Sequence, residues 1–147
     1  MKKGDAKRPL WKCPKCGHDF VTRNIWHSCG RYELADHFVN RPIELRKTFD
    51  RYVEVAQSNG PVTVYAQKTR IVIQGRVRFA GAVVRKNWLD ASMWLKREVK
   101  HRLLFRTEYF GPLGYGCHFR LCKPEDIDRD LIEFMQEAYA IGQQEKV

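Results

Sequence analysis

Three observations predict an α+β fold. Six short runs rich in β-branched and aromatic residues lie between residues 62 and 121. The intervals between them, about eight to ten residues, are too short for crossover helices, so a mostly antiparallel sheet of five or six strands follows. Amphipathic helical stripes lie on either side of that block. A small cysteine knuckle stands in front. The organisation read from this is a basic arm over 1–10, a zinc-ribbon-like knuckle over 11–31 and the α+β domain over 32–147.

The elements follow in chain order. Tyr32–Val39 reads as a short helix stopped by Asn40-Arg41-Pro42. Pro42 suits the first turn of a longer helix, roughly 42–58, because its missing N–H would be unsatisfied there anyway. Leu45, Phe49, Tyr52, Val53 and Ala56 make its apolar stripe, and Asn59-Gly60 its stop. The strand candidates are Val62–Gln67, Thr69–Gly75, Val77–Arg85, Asn87–Leu95, Leu103–Phe110 and Tyr115–Leu121, read as a meander. Lys96–Arg102 is charged and reads as a loop or helical turn, and Gly111-Pro112-Leu113-Gly114 as a break. A last helix starts at Pro124, with Glu125, Asp126 and Asp128 at the positive end of its dipole. Its stripe is Ile127, Leu131, Phe134, Met135, Ala138 and Tyr139, and Gly142 ends it.

Composition bounds the function. The 147 residues carry 27 Lys and Arg against 17 Asp and Glu, a net charge of +10. A hydrophobic share of 44% and an aromatic share of 12% exclude a largely disordered chain. No apolar run reaches the roughly 18 residues that a membrane-spanning helix needs. The N-terminus lacks the apolar stretch of a secretory signal. These readings point to a soluble, cytoplasmic protein. Charge is clustered: residues 1–31 carry +6 and 61–122 carry +9, whereas 123–147 carry −4. Clustered positive charge favours anionic partners, with RNA or DNA foremost.

The five cysteines form two groups. Cys117 and Cys122 lie in or beside an apolar strand. Cys13-Pro14-Lys15-Cys16-Gly17 is a knuckle whose two thiolates can point at one ion. Ten residues later comes His27-Ser28-Cys29-Gly30. Residues two apart on an extended segment share a side, so His27 and Cys29 can face the same ion. Cys13, Cys16, His27 and Cys29 make a closed set typical of one structural zinc per chain. His18 and His37 are also within reach as the fourth ligand. The segment Asp19–Trp26 reads as a short hairpin turning at Arg23-Asn24. An odd cysteine total argues against a disulfide framework, and no thioredoxin-like pattern follows the knuckle.

Alternation separates the faces of the sheet. Ile71, Ile73, Val77, Phe79, Leu89, Met93, Phe119 and Leu121 fall on the core side. Arg70, Gln74, Arg78, Trp88, His118 and Arg120 gather on the other. Arginines beside an exposed tryptophan grip phosphates and stack on flat rings, and Asp90 can orient a guanidinium. His118 is a candidate acid or base, but no nucleophile or paired carboxylate comes with it. Phosphate-loop, dinucleotide-binding, zinc-protease and serine-hydrolase motifs are absent.

Several pieces together resemble a known bacterial family. They are the run from Trp11 to Phe20, then Trp26-His27-Ser28-Cys29-Gly30, Gly60-Pro61-Val62-Thr63-Val64, Lys68-Thr69-Arg70-Ile71, Trp88-Leu89-Asp90, His118-Phe119-Arg120-Leu121 and Glu137-Ala138-Tyr139. The chain is similar over about residues 11–142 to the family catalogued as domain of unknown function 5655. The resemblance implies a zinc-ribbon-like piece joined to a small α+β domain, with Cys13, Cys16, His27 and Cys29 as the metal set. It draws notice to Lys68, Thr69, Arg70, Gln74, Trp88 and His118. The family pattern often has a second histidine where this chain has Cys117.

The leading expectation is therefore a zinc-stabilised protein that binds nucleic acid or another polyanion, rather than an enzyme. Lys68, Arg70, Arg78 and Arg120 would contact phosphates, with Trp88 stacking. One alternative is a small-molecule or enzymatic pocket around His118, Arg70 and Gln74. Another is a protein-interaction adaptor that uses the acidic last helix.

Overall fold

A computed structural model describes residues 9–15, 17–21 and 32–145. The basic arm up to residue 8, the hairpin expected at Arg23-Asn24, and Cys16, His27 and Cys29 lie outside the described residues.

The chain is α+β. A two-stranded sheet pairs β1 (Trp11–Lys12) with β2 (Asp19–Phe20), antiparallel. A 3-10 helix, Leu34–Phe38, stands where a short helix is predicted. Then come α1 (Ile43–Gln57), β3 (Thr63–Ala66), β4 (Ile71–Gln74), β5 (Arg78–Val84), β6 (Leu89–Leu95), β7 (Leu104–Tyr109), β8 (Tyr115–Leu121) and α2 (Arg129–Gly142). Strands β3 to β8 form one antiparallel sheet of six, in the order β3-β4-β5-β6-β8-β7. No helix among the described residues is long and apolar enough to cross a membrane.

That order corrects the meander. The last two strands are exchanged, so β8 lies inside and β7 at the edge. The side chains explain it. On β8, Cys117, Phe119 and Leu121 are fully buried and need a covered position. On β7, the charged pair Arg106 and Glu108 is compatible with an edge.

Both helices lie on one face of the sheet. The fully buried Leu45, Phe49 and Tyr52 of α1 and Leu131 and Met135 of α2 meet Ile71, Ile73, Leu89, Met93, Phe119 and Leu121 from the strands. Val77, expected in the core, is only half-buried, because it stands in the turn between β4 and β5. The stripe of α1 also shifts: Val55 is buried and Val53 packs at the margin. Pro124 opens a separate 3-10 turn, Pro124–Asp126. Asp128 caps α2 itself, accepting a hydrogen bond from the Leu131 amide at 3.0 Å. Gly142 ends α2 where a methyl group would press within 2.3 Å of the Phe79 ring. Its carbonyl accepts from the Arg76 and Val77 amides, tying the helix end to the β4–β5 turn.

The other face of the sheet is shared. The knuckle piece docks over β3 and β4, where Cys13, Phe20, Tyr65 and Val72 form a second small core with Trp11 against it. The remainder, over β5, β6, β8 and β7, carries the candidate site.

Candidate functional site

A hollow of about 410 Å³ lies on the helix-free face, within the range of small-molecule pockets. Strand glycines help to make it. Gly81 lies opposite Ser92, and Gly116 opposite Trp94, so two positions on this face carry no side chain. At Gly81 a Cβ would meet the Ile71 carbonyl oxygen at 2.7 Å, so the strand is bare there by necessity.

His118 is held at both ring nitrogens. Nδ1 lies 2.8 Å from Asp90 Oδ1, and Nε2 lies 3.0 Å from Glu108 Oε1. Both partners are carboxyl groups, so this arrangement favours a ring that donates from both nitrogens, the imidazolium. The bond to Asp90 raises the His118 pKa above its ordinary value of 6.5 and the bond to Glu108 adds to this, while burial works against both. Asp90 is almost fully buried, opposite Arg120 on β8, and its second oxygen lies 3.9 Å from Arg85 Nη2. Glu108 lies at the rim and is shared: Oε2 accepts from Arg106 Nη2 at 2.8 Å. The hydrogen bonds from His118 and then Arg106 hold its carboxyl below the usual glutamate value.

Arg70 and Arg78 line the opposite side of the hollow. Arg78 donates through Nε to the Tyr65 hydroxyl at 3.1 Å, and Tyr65 donates to Gln74 Oε1 at 3.1 Å. Gln74 Nε2 then donates to the Asp19 carbonyl of the knuckle. Arg70 makes no ion pair with any described residue. Trp94 and Phe110 close one wall, their rings stacked at 4.8 Å and 19°. Trp94 Nε1 donates to the Leu113 carbonyl at 2.6 Å, which fixes the indole.

The sequence candidates divide. Arg70, Arg78 and His118 come together in the hollow. Gln74 does not line it: it is 1% exposed beneath the knuckle and serves docking. Lys68 and Thr69 sit exposed in the turn between β3 and β4. Trp88 and Arg120 belong to a separate cluster, with the Arg120 guanidinium 4.1 Å above the Trp88 ring and Phe105 edge-on to it. Asp90 orients the imidazole, and its guanidinium partner is Arg85, at 3.9 Å, rather than one of the arginines the sequence placed on this face. Sequence reasoning missed Arg106, Glu108, Ser92, Trp94 and Phe110 as a group. The signal was available in part, since glycines inside two β-rich runs mark a place where side chains give way.

Cys117 points into the core on the opposite face from His118. Burial pushes its thiol up to about 11, so it is not a poised nucleophile. A cluster of His101, Asp128 and Asp130 also draws notice. His101 Nδ1 accepts from the Leu103 amide at 3.0 Å, and Nε2 donates to Asp128, at 2.9 Å from Oδ2. Both nitrogens are engaged, and the group buttresses the α2 cap.

Of the expected metal set, only Cys13 lies among the described residues. Cys13 is buried, its carbonyl accepts from the Gly17 amide at 2.8 Å, and its amide donates to the His18 carbonyl at 2.9 Å. Gly17 has φ +79°, left-handed backbone that favours glycine. His18 packs on Tyr65 at 4.7 Å, and His37 Nε2 lies 2.7 Å from the Gln67 carbonyl.

Comparison with family models, curated proteins and solved structures gives no match.

Proposed function

We propose that the protein binds a small organic anion in the hollow between Arg70, Arg78 and His118. The single observation that carries this is the state of Glu108. Its carboxylate is gripped by the His118 imidazolium and the Arg106 guanidinium together. That is how a ligand's carboxylate or phosphate would be held. Glu108 occupies the place from the protein's own side, and Arg70 and Arg78 wait across the hollow. Trp94 and Phe110 offer an apolar wall to the rest of the ligand. The polyanion reading is weaker on this geometry, because Arg120 and Trp88 already engage each other. Among the described residues of the hollow no side chain is placed as an activated nucleophile, so the reading is one of binding.

Titration with citrate, succinate, inorganic phosphate and adenosine monophosphate tests it. At least one of them should raise the melting temperature in step with the logarithm of its concentration, by an amount equivalent to about 2.7 kcal/mol at a hundredfold excess over Kd. Arg70→Gln with Arg78→Gln should abolish the effect. Glu108→Ala should tighten binding about tenfold by removing the internal competitor. A panel with no concentration-dependent shift overturns the reading. Binding only of long RNA, falling steeply with salt, would favour the polyanion instead.

The second part of the proposal is that Cys13, Cys16, His27 and Cys29 hold one structural zinc. A closed set of three thiolates and an imidazole supplies folding energy rather than a reactive water. Through Phe20 and the Asp19 carbonyl it would fix the piece that orients Tyr65 and Arg78. Elemental analysis should give about one zinc per chain, lost in Cys13→Ser with Cys16→Ser. A metal-free wild type with the same thermal midpoint would refute it.

A further inference from the structure

The two edges of the six-stranded sheet differ. Along β3, Tyr32 forms an antiparallel bridge with Ala66. Along β7, no described strand pairs with the outer side. The large exposed hydrophobics gather there too. Phe105, Tyr109, Phe110 and Leu113 lie on β7 or in the turn after it, with Tyr109 69% and Leu113 64% exposed. Beyond this stretch only Val39 and Ile43 are comparable among the described residues.

The charges on that edge fit themselves. Arg106 and Glu108 stand on either side of Thr107, on the same face of the sheet. We propose that the chain forms a two-fold dimer by antiparallel pairing of β7 with β7 of a second copy, centred on Thr107. Arg106 then lies opposite Glu108 of the second copy, Thr107 opposite Thr107, and Glu108 opposite Arg106. Directly opposed side chains in such a pair share a face and lie close enough to interact. An axis placed at Arg106 or at Glu108 instead sets like charges opposite each other, which is unfavourable. The register is thus chosen by the sequence, and an isologous contact closes without forming a fibre.

Charges and bulges on edge strands commonly prevent pairing. Here the bulge lies at one end, between Leu104 and Arg106, and turns Phe105 toward Trp88 and His118. It leaves Arg106 to Tyr109 regular. Both six-stranded sheets would join edge to edge. Because Arg106 and Glu108 line the hollow, each pocket would then have a rim built by both copies.

Sedimentation velocity of the full chain at about 100 µM tests the proposal, since dimer content depends on concentration. The wild type should sediment as a dimer. Arg106→Glu, or Glu108→Arg, places like charges in both cross-pairs and should weaken association more than about tenfold. The double exchange, Arg106→Glu with Glu108→Arg, should restore it. Thr107→Cys, mildly oxidised, should give a covalent dimer whose linked peptides both contain position 107, because opposed Cα atoms are within disulfide reach. Near-UV circular dichroism checks that each variant is folded. If the single reversals fail to fold, the Thr107→Cys linkage decides. A monomeric wild type overturns the proposal. So does a dimer indifferent to both single reversals and without the 107–107 linkage.

Discussion

Phe119→Ala is expected to lower folding stability by about 3–5 kcal/mol. The ring is fully buried on β8, the strand held between β6 and β7. It stacks on Phe134 of α2 at 6.1 Å and meets His101 edge-on at 5.7 Å. Truncation therefore opens a cavity between sheet and helix, beneath the His101–Asp128 pair that buttresses the α2 cap. Neighbouring groups cannot collapse into it freely. Ala91 on one side is already small, and β8 is pinned by pairing on both sides. Against a total stability of about 5–15 kcal/mol the loss is large. The melting temperature should fall by roughly 10–15 °C for a chain of this size. Phe119→Leu keeps most of the volume and should cost less than about 1.5 kcal/mol. Calorimetry of the two variants checks both values. Equal, small losses would mean that sheet and α2 are not packed through this ring.

Most of the fold was legible because it rests on periodicity. The alternation of Ile71 and Ile73, of Leu89 and Met93, and of Phe119 and Leu121 places each pair on the core side, where all six are buried. The stripe of α2 needs only helical spacing. Strand order was not legible, since alternation states which face a residue takes and not which neighbour it has. The exchange of β7 and β8 follows from comparing their burial needs. The β7 run carries charges on one side, and the β8 run carries none on its core side.

The same gap explains the candidate site. His118 and Arg70 could be put on one face from sequence alone. Glu108 could not, because its partnership with His118 depends on β7 lying next to β8. Gln74 was assigned to the open face correctly by alternation, yet the knuckle covers it. Nothing in strand periodicity says that a separate piece of chain will dock there. The only forewarning was chemical: the aromatic residues around the knuckle, Trp11 and Phe20, exceed what so small a unit can bury by itself.

Asp90→Asn should shift the alkaline limit of anion binding toward lower pH. In the wild type the Asp90 carboxylate is the largest cause of the elevated His118 pKa. A raised value means that the charged ring contributes fully below its ordinary 6.5 and that the contribution is lost as pH rises through the higher folded value. Glu108 is the opposite case. Its lowered value contributes above the ordinary 4.5 and is lost as pH falls through the lower folded value. Between these limits both His118 and Glu108 make their charged contributions. In the Asp90→Asn variant the imidazolium loses its buried counter-charge and keeps only a neutral acceptor and the half-exposed Glu108. A hydrogen bond to a charged group contributes about 1.5–3 kcal/mol, so anion affinity near neutral pH should fall about tenfold or more. Ring-proton NMR of His118 against pH gives the independent reading, with its midpoint lower in Asp90→Asn than in the wild type. If Asp90 served only to hold the strands together, stability would drop while the His118 midpoint and the alkaline limit of binding stayed in place.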